Sequence, residues 1–151
     1  INTSAGGFAA QTAFFPVISF VEVQLIIAET ATSNSAKLTA LNSVRSHNAS
    51  KFSSTYDAYV EADFQTGGIV NKGLSSADAM KMEILLEKFC SVIGLPTYQD
   101  VLRTDNFINV PIKSSNTTMI PQRFIYPSSE EASNANFPGY VDQFEATPIH
   151  N

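Results

Sequence analysis

The sequence is poor in the residues that carry most metal, redox and acid–base chemistry. Its 151 residues include one cysteine, two histidines and no tryptophan. A single thiol excludes an intrachain disulfide and a cysteine-rich zinc site. His47 stands apart from other potential ligands, His150 is next to last, and no Gly-x-Ser-x-Gly elbow occurs, so neither a metal site nor a nucleophilic triad is indicated. We therefore predict no enzyme activity, no catalytic residues, no metal and no cofactor.

Basic residues and long apolar runs are also scarce. Nine basic and fourteen acidic residues give a net charge of −5, which has the wrong sign for binding the phosphates of nucleic acid. No run approaches the roughly 18 consecutive apolar residues that a membrane-spanning helix needs. The glycines around Gly67 and Gly68 lack the Gly-Lys-Ser/Thr ending of a phosphate loop. We predict no nucleic-acid partner and no nucleotide site.

What the sequence does contain is typical of a globular domain. Hydrophobic residues make up 44% of the chain, and a chain of this length buries roughly two-thirds of its unfolded surface. Serine, threonine and asparagine are abundant, as on surfaces that recognise uncharged ligands. We predict one mainly α domain over residues 1–151, with a helical scaffold over about 19–47 and 76–104 and loop-rich regions over 48–75 and 105–151.

Apolar residues at helical spacing predict a hairpin of two helices near the start. An extended stretch over 14–19 leads into a first helix near Ser19, and a second helix follows the polar turn at 32–35 and continues through about His47. The first helix is apolar over most of its girth, which predicts burial between at least two partners. The residues expected on its main apolar face are Phe20, Val23, Ile27, Ala28 and Ala31, and Val21, Leu25 and Ile26 are expected to widen this face.

A further helix is predicted from about Ser76 to Ile93. The pattern Ser75-x-x-Asp78 opens it, and Gly94 closes it. Cys90 is expected to be buried and inert within it. The residues expected inward are Met82, Leu85, Leu86, Phe89 and Ile93. Shorter helices are expected over 56–64 and from Thr97 to Arg103, and coil is expected beyond Asp105.

Two acidic residues of the first helix raise the question of a glycosidase site, which we do not favour. Glu22 and Glu29 lie on the same side of a mostly apolar helix, where a carboxylate must be paired or hydrogen-bonded. Arg45 of the neighbouring helix is the expected partner. A paired-carboxylate glycosidase needs two acids across a cleft that admits a sugar, and nothing in the sequence places Glu22 and Glu29 in that way.

Aromatic rings are the best candidates for ligand contact, because a ring stacks on the apolar face of a sugar while neighbouring polar groups meet its hydroxyls. Tyr56 and Tyr59 lie three apart among polar residues in the irregular stretch and are the preferred candidates. Other rings are equally compatible with core or loop anchoring. They are Phe52, Phe64, Phe107, Phe137, Tyr140 and Phe144.

Three segments, in this order, resemble the C-terminal portion of the SusD/RagB family of nutrient-binding outer-membrane lipoproteins. They are Pro16–Glu29, with Glu22 and the pair Ala28-Glu29; Ile84–Phe89 followed by Tyr98–Thr104, with Arg103; and Ile120–Asn136. The third is the most specific and reads Pro-x-Arg-Phe-x-Tyr-Pro-x-x-Glu, with Arg123, Tyr126, Pro127 and Glu130, followed by Asn134 and Asn136. Residues 48–75 match nothing in the family.

This resemblance implies a fold of tetratricopeptide-like helical hairpins that support loop-rich regions. It implies a cell-surface protein, lipid-anchored through an N-terminal part absent here, that captures an oligosaccharide or other nutrient without cleaving it. The implied partner is a SusC-like TonB-dependent transporter of a polysaccharide-utilisation system. The chain is then a fragment whose apolar helices pack against the remainder of its parent chain.

The family motif also has a structural interpretation. The Arg123 guanidinium is expected to hold the coil in place by hydrogen bonds to Glu130 or to carbonyl groups. Tyr126-Pro127 is expected to form a stiff bend with a buried ring. Asn134 and Asn136 are expected to form local side-chain turns. The alternative function is a protein–protein interaction module of helical-hairpin type that binds no small ligand.

Overall fold

The computed structural model describes residues 18–92, 95–113, 117 and 119–145, and over these residues the fold is mainly α, with no strand. The chain divides into two compact units, one up to Val92 and one from residue 93 onward. The predicted extended entry over 14–17, and the predicted helix end at Ile93 and Gly94, lie outside the described residues. We describe each unit by itself.

The first unit opens with the predicted helical hairpin. Helix α1 spans Phe20–Thr30 and helix α2 spans Asn34–Lys51. Each begins at a serine N-cap: the Ser19 hydroxyl accepts a hydrogen bond from the Glu22 amide, and the Ser33 hydroxyl accepts one from the Ala36 amide. These caps satisfy amide groups that the first helical turn leaves unpaired. The predicted start of α1 is confirmed, and α2 continues four residues past His47.

The buried face of α1 agrees with the predicted main face only at Ala28. Val21 and Leu25, which were expected to widen that face, also enter the core, whereas Phe20, Val23, Ile26 and Ile27 remain substantially exposed. The spacing of Val21, Leu25 and Ala28 is as helical as that of the predicted face. Because α1 is apolar around most of its circumference, periodicity alone does not choose between the two faces.

Helix α3 spans Ser76–Ser91 and packs beside α1. Its predicted N-terminal cap forms, since the Ser75 hydroxyl accepts from the Asp78 amide and donates to the Asp78 carboxylate. The predicted inward face is only partly right. The fully buried residues are Ala79, Met80, Ile84 and Leu85; Met82 and Leu86 are half-buried, and Phe89 is at the surface. Cys90 is exposed, so the prediction of a buried thiol is wrong.

One core joins these helices to a short 3₁₀ helix at Glu61–Phe64. Phe64 is fully buried in the same core cluster as side chains of all three helices, and the remainder of the predicted helix over 56–64 is irregular instead. Gly68 allows the chain to fold back here, because a Cβ on it would lie 2.2 Å from the Asp63 carbonyl oxygen. No other residue fits at this close approach.

The second unit contains helix α4 at Leu95–Arg103 and helix α5 at Ser128–Ser133, joined by irregular chain. Asp105, Asn106 and Asn109 adopt left-handed backbone angles just after α4, a conformation that asparagine and aspartate tolerate. The amides of Gln122 and Arg123 both donate to the Gln143 carbonyl. Beyond residue 105 the described residues are irregular apart from α5. Across all described residues, we find no helix with the length and apolar character required to cross a membrane.

The two faces of α1 are distinguished by a matched pair of truncations. Leu25 is 0% exposed and Ile27 is 43% exposed. We expect Leu25→Ala to lower the free energy of unfolding by about 2–5 kcal/mol, because it leaves a cavity in the core. Ile27→Ala should cost about 1 kcal/mol or less. Urea denaturation of both variants measures the difference, and a larger loss for Ile27→Ala would contradict the described face.

Candidate functional site

The irregular segment over 54–60 lies along the side of α2 and forms one wall of a cleft. Asn42 holds this segment with both ends of its amide: Nδ2 donates to the Tyr59 carbonyl at 2.8 Å, and Oδ1 accepts from the Tyr59 amide at 2.9 Å. Arg45, one turn along α2, donates from Nη1 to the Asp57 carbonyl at 2.7 Å. Three side-chain hydrogen bonds therefore supply the backbone partners that a strand neighbour would otherwise provide.

Tyr59 connects this segment to the rest of the first unit. The Arg45 guanidinium carbon lies 3.5 Å from its ring centroid, a cation–π contact. Its ring meets Phe64 edge-on at 5.6 Å, and its hydroxyl donates to the Glu83 carboxylate of α3 at 2.8 Å. Burial, together with the hydrogen bond to Glu83, raises the pKa of Tyr59 to about 12. Because Arg45 covers one face of the ring, Tyr59 serves the scaffold.

Tyr56 has a different position, at the rim of an open cleft of about 600 Å³. Its ring is 37% exposed, and the guanidinium carbon of Arg45 lies 5.6 Å from its centroid. Asp57 and Asp63 also line the cleft. One oxygen of Asp63 accepts from the Val60 amide at 2.8 Å. The remaining lining residues are Thr55, Ala58, Tyr59, Val60 and Ile69.

The cleft therefore combines an available ring with carboxylate oxygens and one guanidinium. A ring stacks on the apolar face of a sugar, and a few fixed polar groups meet its hydroxyls. Arg45 contributes donors while Asp57 and Asp63 contribute acceptors. This arrangement is suited to holding a hydroxylated ligand at the surface.

Asn71 organises the loop that follows the 3₁₀ helix, and it was not among the residues predicted from the sequence. It is the one buried polar residue among those described. Its Nδ2 donates to the carbonyls of Phe64 and Leu74, and its Oδ1 accepts from the Gly73 amide. It thus ties together the loop that follows the 3₁₀ helix. The signal available in the sequence was an asparagine two residues before a glycine, which is typical of a side-chain turn.

The predicted partner of the two α1 carboxylates is wrong. Glu29 forms an ion pair with Lys88 of α3 at 3.5 Å, whereas Arg45 is committed to Asp57 and Tyr59. The reason is that α3 packs beside α1 while Arg45 faces the irregular segment over 54–60. Glu22 is half-buried in the first turn of α1, and Ala28 is fully buried.

In the second unit, the expected hydrogen bond between Arg123 and Glu130 does not form, and both residues are described. Glu130 instead accepts from Asn134 Nδ2 at 2.6 Å. Asn134 Oδ1 accepts from the Asn136 amide at 2.9 Å, which confirms the predicted turn at Asn134. Asn136 contributes its backbone amide to that turn and is exposed.

Other motif residues of this unit are also placed. Pro127 is the N-cap residue of α5. The Tyr126 ring is 41% exposed, so the expectation of a buried ring at this bend is wrong. Arg103 pairs with Asp100 at 2.9 Å, within α4. Tyr140 donates to Glu131 at 2.7 Å, and this hydrogen bond raises the pKa of Tyr140.

Neither a cluster of metal ligands among the described residues nor a matching protein is found. Over the described part of the chain, no three His, Cys, Asp or Glu side chains are grouped so that they could hold a metal ion. No family model, curated protein or solved structure matches the chain. The resemblance to the SusD/RagB family therefore remains a proposal that rests on the motif residues.

The raised pKa of Tyr59 predicts a loss of stability in alkali. Its pKa moves from 10.0 to about 12 on folding, so the protonated phenol stabilises the fold fully below pH 10. That contribution disappears as the pH rises from 10 to about 12. Tyr59→Phe should be less stable than the natural chain at neutral pH and should show a shallower decline over this range.

Denaturant unfolding at a series of pH values measures this effect. Tyr140→Phe is the control, because Tyr140 also has a raised pKa but lies in the other unit. If Tyr59→Phe declined as steeply as the natural chain, the hydrogen bond to Glu83 would not be the source of the alkaline sensitivity.

Proposed function

We propose that this chain is part of a cell-surface protein of SusD/RagB type that binds glycans or other nutrients without cleaving them. The ligand would pass to a SusC-like TonB-dependent transporter, and the parent protein would be held at the outer membrane by an N-terminal lipid. Three ordered motif segments support this proposal, of which Pro121–Glu130 is the most specific. The low charge and abundance of neutral polar residues are in keeping with it.

The observation that carries the binding half of the proposal is the position of Tyr56. Its half-exposed ring stands beside Asp57 and Asp63 at an open cleft, which is the combination that sugar recognition needs. The segment over 54–60 forms one wall of the cleft, and Asn42 and Arg45 of α2 hold its backbone by hydrogen bonds. A ligand would therefore meet a site with little left to order, which lowers the entropic cost of binding.

The finer fold assignment, tetratricopeptide-like helical hairpins, belongs to the same proposal. The antiparallel pair α1 and α2, with α3 packed beside α1, supports it. A helical-hairpin array stacks such pairs so that each contacts its neighbours. The described residues of the first unit contain one such pair and one further helix.

A second function, a protein-interaction module, is favoured by the exposed face of α1. Five large apolar side chains are exposed on or next to this helix: Ile18, Phe20, Val23, Ile26 and Ile27. Large exposed apolar surfaces mark docking sites. In an interaction module this face would bind a separate protein, whereas in the SusD/RagB-type protein proposed above the remainder of the parent chain would cover it, as neighbouring units do in a hairpin array.

The glycan site is tested by replacing its ring. We expect Tyr56→Ala to weaken oligosaccharide binding about 5- to 10-fold, in line with about 1 kcal/mol or slightly more for a lost stacking ring. The measurement is isothermal titration of the chain with a panel of neutral oligosaccharides, followed by titration of the variant with the tightest binder.

Phe52→Ala is the matched control, because Phe52 is 71% exposed, lies four residues away and does not line the cleft. It should bind as the natural chain does. Equal losses in both variants would contradict a site at Tyr56, and failure of every oligosaccharide and peptide to bind the parent protein would end the nutrient-binding proposal. Absence of a TonB-dependent transporter, identified by mass spectrometry, from the parent protein purified out of solubilised outer membranes would contradict the delivery step.

Coverage of the α1 face is tested by thiol labelling. In a Cys90→Ser background, Ile27→Cys should react with a maleimide nearly as fast in the folded chain as in denatured chain, because position 27 is exposed. In the parent protein the same thiol should react at least tenfold more slowly. Equal rates in the chain and the parent would show that the parent leaves the face open, which supports docking of a separate protein instead.

A further inference from the structure

Three aromatic rings of the second unit contact one another at its surface. Phe137 meets Tyr126 edge-on, with centroids 5.6 Å apart and planes at 84°, and meets Tyr140 at 5.2 Å and 75°. Tyr126 is 41% exposed and Tyr140 is 59% exposed. We call Tyr126, Phe137 and Tyr140 the aromatic corner.

The aromatic corner is not a core. No described residue of the range 119–145 is buried, and the rings contact one another edge to face. Those contacts are worth about 0.5–1.5 kcal/mol a pair, and two of the rings still present much of their surface to solvent. Large rings held together at a surface in this way are typical of recognition sites.

Acidic residues outnumber basic ones in the part of the chain that holds the aromatic corner. Residues 119–145 contain Glu130, Glu131, Asp142 and Glu145 and one basic residue, Arg123. Glu131 is attached directly to the corner, because its Oε2 accepts from the Tyr140 hydroxyl at 2.7 Å. A phenol that donates to a carboxylate becomes richer in electrons, and the negative face of its ring then attracts a cation more strongly.

We propose that the aromatic corner binds a cationic side chain, arginine or lysine, presented by a partner protein. Rings set at 75–84° to one another form an angle that can surround a compact cation, whereas a flat sugar repeat would need rings with similar orientation. The four carboxylates attract a basic surface and repel an acidic one. Arginine fits best, because its planar guanidinium stacks on a ring while its N–H groups reach carboxylate oxygens.

This site differs from the Tyr56 cleft in its residues and in its ligand. The proposal does not rest on glycan binding, so either can fail while the other holds. A test that measures a basic peptide at the second unit and an oligosaccharide at the first reports on them independently.

The probe is a blocked pentapeptide with the sequence Gly-Arg-Gly-Arg-Gly, compared with the same peptide in which neutral citrulline replaces both arginines. When the arginine peptide is titrated into the full chain, the NMR resonances of the Tyr126 and Tyr140 rings should shift. The affinity should fall as the salt concentration is raised. Tyr126→Leu should weaken binding about 2- to 5-fold, as expected for one exposed cation–π contact. Glu131→Gln should weaken it in the same direction.

Phe124→Leu is the matched control, because Phe124 is 86% exposed, lies two residues from Tyr126 and makes no ring contact within the described part of the chain. It should leave the affinity unchanged. Equal binding of the citrulline peptide, equal losses in Phe124→Leu and Tyr126→Leu, or ring shifts produced by neutral oligosaccharides and not by the arginine peptide would each overturn the proposal. Ring shifts that depend on protein concentration alone would also overturn it, since the occupant would then be a second copy of the chain.

Discussion

The stacking of Arg45 on Tyr59 is the contact on which the first unit's surface depends. Within the described residues segment 54–60 has no strand partner, and it holds its place because Asn42 and Arg45 of α2 bond its backbone while the Tyr59 ring fills the gap between α2, α3 and Phe64. These contacts tolerate little change, because the loss of one member leaves partly buried polar groups of the others unpaired.

The proposed glycan site follows from these contacts of Tyr59. Because Tyr59 is used for support, its neighbour three residues earlier, Tyr56, is left at the cleft with its ring available. The scaffold of α1, α2 and α3 then acts as a rigid base, and the irregular segment carries the recognition groups. Such an arrangement is common, because binding residues are often found on loops that a rigid scaffold positions.

Local signals in the sequence were sufficient to predict the elements, and they were insufficient to predict how those elements face one another. Ser19, Ser33 and Ser75 mark the starts of three helices because capping is a local interaction. The inward face of α1 was predicted only in part and the partner of Glu29 wrongly, because both depend on which helix packs beside α1. Tyr56 and Tyr59 were recognised as a pair, but their different roles depend on Arg45 and Glu83, and the helical period places neither of these against a ring 11 or more residues away.

Amide hydrogen exchange at Tyr59 is the most direct test of a preformed cleft. If the cleft is formed before any ligand binds, the Tyr59 amide donates to Asn42 Oδ1 in the free chain. We therefore expect this amide to be protected in the free chain. Asn42→Ala should remove the protection, while the amides of Leu25 and Leu41 in the helical core keep theirs. Exchange of the Tyr59 amide at the rate of an unstructured peptide in the natural chain would contradict a preformed cleft.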